Sequence, residues 1–160
     1  MHHDVVIHEE EAARIDRILV AFLAESGATE ALLIDRGGQL LASGGKTSSF
    51  DTVSIGALAA GAFSSTSAIA SLLGETEFSV LFHQGAHESI HVSTVDKETI
   101  LLAIFDDRTT VGMVRLFAKE ACRAIGTVLA EARTQPRRVG ALAAPLTADE
   151  ARAEIGPKKR

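Results

Sequence analysis

The chain has 160 residues, of which 46% are hydrophobic and 23% charged, and its formal net charge is −5. This length allows one domain with a full core and a tail. The acidic balance and the lack of Trp and Tyr argue against a nucleic-acid-binding protein. The single cysteine cannot form an internal disulfide, and the sequence has neither a signal-peptide pattern nor an apolar run long enough for a membrane span. These features predict a soluble, cytoplasmic protein with no membrane partner.

The first part of the chain predicts a helix followed by a β-hairpin. The helix begins near His8 and ends at Ser26–Gly27, because apolar residues recur at helical spacing and Gly27 suits a helix C-terminus. Short apolar strands at 31–35 and 40–43 flank a turn, which is typical of a hairpin. A polar loop then leads to Asp51, a natural N-cap for the next helix.

That middle helix, predicted between Asp51 and Glu75, carries a stripe of very small residues at steps of three and four. We call it the small-residue stripe; its members are Ser54, Ala57, Gly61, Ser64, Ala68 and Ser71. Residues at this spacing share one helix face, and the lack of bulk indicates that something packs closely there. The pattern alone leaves open a tight contact inside the domain or an external protein contact. The core-facing side is predicted to consist of Ile55, Leu58, Ala62, Ile69 and Leu73.

Three strands and a helix are predicted next, at 78–83, 89–95, 100–105 and 110–133. The strand at 89–95 alternates apolar and polar residues, which predicts that its polar face, with Ser89, His91 and Ser93, is exposed. The strand at 100–105 is apolar throughout and is predicted to be central. The inward side of the last helix is predicted to contain Val111, Val114, Phe117, Ala118, Ala121, Ile125, Val128 and Leu129.

The order helix, two strands, helix, three strands, helix defines an α+β domain at residues 5–134. Short connections predict one five-stranded antiparallel sheet with helices on both faces, the first and last helices sharing a face. Beyond Pro136 the composition changes, so residues 135–160 are predicted to be a mobile tail. A capping-box pattern at 147–150 allows a short helix at 147–155.

No pattern of catalytic residues is recognisable. Gly45-Lys46-Thr47 resembles the end of a phosphate-binding loop. That motif requires a second glycine five positions before Gly45, and this position is occupied by Leu40. His83, His87 and His91 have a four-residue spacing, yet they span a turn and two strands, so polar hairpin histidines are the simpler interpretation. Asp106–Asp107 is interpreted as a loop and cap pair, and Cys122 as a core residue. We expect no enzyme activity, no cofactor and no metal.

Three segments resemble the Roadblock/dynein light chain family, and in particular its bacterial gliding-motility and polarity members. They are 32–40, the region from 72 to 85, and 105–116 with its Phe-Asp-x-Arg-Thr-x-x-Gly-x-Val-Arg sequence. The resemblance covers residues 5 to 133. It implies a homodimer in which the middle helices lie side by side and edge strands join. It also implies that two copies bind one small Ras-like GTPase, preferably in its GTP form, and activate hydrolysis by rearranging the GTPase's own residues.

Carried over residue by residue, the resemblance implies that the small-residue stripe contacts the partner. The predicted partner-binding residues are Ala57, Gly61, Ser64, Ser65, Ala68 and Leu72. Arg36 and Arg108 lie in loops and are the candidates for an arginine inserted into the active site of the GTPase. A role in the turn or in a salt bridge is the preferred interpretation of both. A scaffold dimer that organises a polar or signalling complex without accelerating hydrolysis is the alternative hypothesis. Concentration at a cell pole is a further expectation.

Overall fold

The computed structural model describes residues 6–46 and 50–134. The elements follow the predicted order: α1 (Glu9–Ser26), β1 (Glu30–Asp35), β2 (Leu40–Gly45), α2 (Thr52–Leu72), β3 (Val80–Gln84), β4 (Ser89–Asp96), β5 (Thr99–Phe105) and α3 (Val111–Thr134). The predicted tail at 135–160, its short helix at 147–155 and part of the loop before α2 lie outside the described residues.

All five strands form one antiparallel sheet in the order β2-β1-β5-β4-β3, which confirms the predicted sheet. The apolar strand β5 is central and buried at every position. Leu102 lies between Leu32 of β1 and Val92 of β4, so large apolar side chains form a continuous row across the centre. β2 and β3 are the edge strands, and within the described ranges each pairs on one side only.

The helices lie on both faces of the sheet, with α1 and α3 together on one face as predicted. Their core includes Ile15, Leu19 and Ile125, packed with Leu33 and Leu101 of the sheet. An Arg14–Glu131 ion pair also joins the two helices. The opposite face packs against α2 through Leu32, Ile34, Leu102 and Phe63, among others.

Both helix ends predicted from single residues are formed as expected. Gly27 adopts φ 74°, and its N–H donates to the carbonyl of Leu23, which ends α1. The carboxylate of Asp51 accepts hydrogen bonds from the backbone N–H of Ser54 at 3.1 Å and from its hydroxyl at 2.6 Å. These bonds lower the pKa of Asp51, because they favour the carboxylate.

Two predictions about α3 and its neighbours are wrong. The polar face of β4 is not exposed, because α3 lies across it and buries His91 and Ser93. Ser93 contacts Cys122 of α3, with 3.6 Å between Oγ and Sγ. Val111 is exposed rather than inward, because the buried part of α3 begins one turn later, at Val114.

Candidate functional site

The buried face of α2 differs from the one predicted. It consists of Gly56, Ala59, Ala60, Phe63 and Ala70. The predicted core residues Leu58, Ile69 and Leu73 are instead 75%, 50% and 69% exposed, and Ile55 and Ala62 are only partly buried. The inward residues are mostly small because α2 lies very close to the β1–β2 turn. A Cβ added to the buried Gly56 would be 3.3 Å from the carbonyl oxygen of Gly38.

The small-residue stripe faces outward along its whole length. All six members are exposed, and a Cβ added to Gly61 would have no described atom within 4 Å. The stripe is therefore not buried inside its own domain, and its closest described neighbour is the β1–β2 turn, where Gly38 lies against Ala57. Ser65 is exposed beside the stripe, and Leu72 at its end is 87% exposed. The predicted partner-binding residues thus share one uncharged, solvent-facing surface of α2.

Two of the hydroxyls on this surface are used by the helix itself. The Ser65 hydroxyl donates to the carbonyl of Gly61 at 3.0 Å, and the Ser71 hydroxyl donates to that of Ser67 at 3.2 Å. Such bonds to the preceding turn satisfy the donors without an external partner. At Ser65 and Ser71 a partner therefore encounters shape and close backbone approach more than free hydrogen-bond donors.

An apolar groove separates α2 from the outer half of the sheet. We define the apolar flank of α2 as Leu58, Ile69 and Leu73 together with Ile55 and Ala62. The groove has a volume of about 350 Å³, and Ile55, Leu58 and Ala62 face Leu81 and Ile90 across it. Exposed apolar surface beside such a groove is typical of protein–protein interaction sites. The sequence pattern did not predict this groove, because the flank residues were assigned to the core. The fact that α2 is apolar on more than one face could have indicated that one apolar face is exposed.

α2 is also the one helix among the described residues long and apolar enough, by length and composition, to cross a membrane. It is packed on the sheet through Phe63 and Ala59. A single helix of this kind is weak evidence for a membrane span.

The two loop arginines are both held in ion pairs. Arg36 pairs with Glu77, and its guanidinium lies 5.4 Å from the centre of the Phe63 ring. Arg108 binds Asp106 through Nε and, at 2.8 Å, through a terminal nitrogen. This pairing lowers the pKa of Asp106 and raises that of Arg108. The salt-bridge interpretation of both residues agrees with the structure.

The three histidines do not converge. Phe82 pairs with His91 and His83 pairs with Ile90, so His83 and His91 lie on opposite faces of the sheet. Among the described residues there is no group of three His, Cys, Asp or Glu side chains placed to hold a metal ion. Burial raises the pKa of Cys122 to about 11, so its thiol stays protonated at neutral pH and has little nucleophilic character.

Two buried ionisable groups lack hydrogen-bond partners in the described part of the chain, and the sequence patterns predicted the burial of neither. Neither ring nitrogen of His91 has a partner there, and burial, followed by the nearby charge of Arg115, lowers its pKa. Both carboxylate oxygens of Glu30 are buried in the same unpartnered state, and burial, with a smaller contribution from Glu88, raises its pKa. Because the pKa of each group is shifted by burial, the stability of the folded chain depends on pH through both of them.

This fold and this exposed helix define a class of protein. The family model of the Roadblock/LC7 domain matches residues 14–105, and the chain belongs to that family.

Within the family the chain is similar to MglB. It is 35% identical to Myxococcus xanthus MglB over 79% of this chain and 96% of that one, with a TM-score of 0.74. The gliding protein MglB from Thermus thermophilus is 30% identical over 82% of this chain and 99% of that one, with a TM-score of 0.76. An MglB described as having a tetrameric arrangement has the same identity and coverage, with a TM-score of 0.77. Among curated protein sequences, none matches the chain.

Proposed function

We propose that this chain is a homodimeric, non-catalytic regulator of a small Ras-like GTPase of the MglA type, and that it accelerates GTP hydrolysis by that GTPase in cell polarity or motility. The observation that carries the proposal is the uncharged, outward-facing small-residue stripe on α2 in a chain similar to MglB. The proposed setting is the cytoplasm, with concentration at a cell pole.

The dimer is proposed to form through the apolar flank of α2 and the outer edge of β3. A second copy placed against the flank would cover Leu58, Ile69 and Leu73, which are exposed in one chain. Burying apolar surface of this size is favourable, at about 1.5–3 kcal/mol for each fully buried side chain. Pairing of the β3 edge would satisfy backbone groups that have no strand partner among the described residues.

The small-residue stripe would remain available after dimerisation. At about 100° per residue, Ser64 and Ala68 lie roughly 80–140° around the helix from Leu58 and Ile69, so they occupy a neighbouring side of α2. Two copies of α2 side by side would form one platform for the GTPase, so two copies of this chain would bind one GTPase. Small side chains allow the partner's backbone to approach, whereas large ones would overlap with it.

The activation is proposed to act on the partner's own catalytic residues. Arg36 and Arg108 are both held in ion pairs, so neither is positioned as a free guanidinium. The preferred mechanism is that binding shifts the switch segments of the GTPase towards a hydrolysing arrangement, which requires stronger binding to the GTP form.

The test is single-turnover GTP hydrolysis with the double variant Ser64→Arg and Ala68→Arg. Both positions are exposed, so the fold and the dimer should survive while stimulation is lost. Normal stimulation by the double variant would refute the proposed contact.

The alternative, a scaffold dimer without effect on hydrolysis, is favoured by the tetrameric arrangement described for one similar protein. In the same assay, wild-type protein that binds the GTPase without changing its hydrolysis rate would select the scaffold.

The tail at 135–160 is proposed to be a second partner-binding element. Removing it should weaken GTPase binding or nucleotide exchange and leave dimerisation intact, which titration and sedimentation would measure. Unchanged affinity and exchange would contradict this role.

A further inference from the structure

A polar groove opens beside the C-terminal half of α2. Its volume is about 430 Å³, and Ala68 and Ser71 of the small-residue stripe line it. Arg36, Glu77 and Lys97 also line it, and they come from three different connections between elements. The groove is therefore continuous with the surface proposed to bind the GTPase.

Two of the three charges in this groove neutralise each other. Arg36 forms an ion pair with Glu77, its backbone N–H donates to the carbonyl of Glu98 at 3.0 Å, and its guanidinium lies over the ring of Phe63. These contacts fix Arg36 in place and leave Glu77 compensated.

Lys97 is the remaining charge. It is exposed, and within the described part of the chain no ion pair or hydrogen bond involves its side chain. α2 has no charged residue between Thr52 and Leu72. The ammonium of Lys97 thus has no ion-pair partner among the described residues and lies at the rim of an uncharged helix surface.

We infer that this groove receives an acidic side chain of the GTPase and that Lys97 is the residue that attracts it. The inference rests on the proposed function and adds an electrostatic element to a surface otherwise recognised by shape. Because Lys97 is exposed, its effect falls mainly on the association rate and is screened by salt. Arg36 does not supply this charge, since Glu77 already engages it.

The test compares association rates of full-length wild-type, Lys97→Glu and Lys97→Met proteins with an MglA-type GTPase from the same organism, loaded with a non-hydrolysable GTP analogue. Lys119→Glu is the matched control, because Lys119 is an exposed lysine of α3, on the opposite face of the sheet. At low salt, Lys97→Glu should associate roughly 5- to 10-fold more slowly, and Lys97→Met should be intermediate.

At high salt the difference between Lys97→Glu and wild type should shrink towards about twofold, while Lys119→Glu stays close to wild type throughout. If wild type binds and Lys97→Glu associates equally fast at low salt, this inference is overturned and the proposed function stands. An equal loss for Lys119→Glu also overturns it, because the effect then follows net charge alone. If wild type does not bind, the proposed function fails and the inference fails with it.

Discussion

Truncation of Leu58 should dissociate the dimer without unfolding the chain. The side chain is 75% exposed in a single chain, so Leu58→Ala removes little from the protomer's own core. In the proposed dimer the exposed part becomes buried. A fully buried leucine contributes about 1.5–3 kcal/mol, so three quarters of it corresponds to about 1–2 kcal/mol per copy.

A two-fold dimer contains the same residue twice, so the total loss is about 2–4 kcal/mol. Since each 1.4 kcal/mol is a factor of ten, the dissociation constant should rise about 30- to 700-fold. Sedimentation equilibrium over a concentration series measures this constant directly, and circular dichroism checks that the variant stays folded.

The matched control is Val20→Ala, because Val20 is an exposed apolar residue of α1 on the opposite face, at 65% exposure. It should leave the dissociation constant within about twofold of wild type. A Leu58→Ala protein with an unchanged dissociation constant would refute the reasoning. So would equal weakening by Val20→Ala, because the effect would then not depend on the flank of α2.

The remaining predictions concern the two buried ionisable groups. Burial lowers the pKa of His91, so the folded state binds fewer protons than the unfolded state and stability falls as pH drops below the unfolded value of about 6.5, by at most about 1.4 kcal/mol per pH unit. His91→Leu should flatten this loss in urea titrations at pH 5, 6 and 7, and an unchanged slope would contradict it. Burial raises the pKa of Glu30, so its stabilising neutral form is lost as pH rises through the folded-state pKa. Glu30→Gln should therefore raise the free energy of unfolding near neutral pH by on the order of 1 kcal/mol, and this gain should vanish in acid. Thermal melts over a pH series measure it, and a variant that is less stable than wild type at neutral pH would contradict the prediction.

The elements and their order could be predicted from the sequence because each carries a clear periodicity or end signal. β5 is apolar throughout, Gly27 ends α1 and Asp51 begins α2. These signals act within a few residues of the chain, so they do not depend on how the elements pack.

The orientation of α2 could not be predicted in the same way. Its apolar residues occupy more than one face, and the inward face is the one that packs on the sheet through Ala59 and Phe63. Burial of the polar face of β4 likewise depends on α3, which is distant in sequence. The outward direction of the small-residue stripe was predictable as one of two alternatives, but small uncharged residues do not specify which protein they contact.

The central claim is that the small-residue stripe contacts and activates a small Ras-like GTPase. Its most direct test is single-turnover GTP hydrolysis by an MglA-type GTPase with wild type, the Ser64→Arg/Ala68→Arg variant, and an Ala21→Arg/Ala24→Arg control on the exposed side of α1. We expect stimulation by wild type and control, and hydrolysis at the unstimulated rate with the α2 variant, which remains dimeric. Stimulation by the α2 variant equal to that of wild type would contradict the claim.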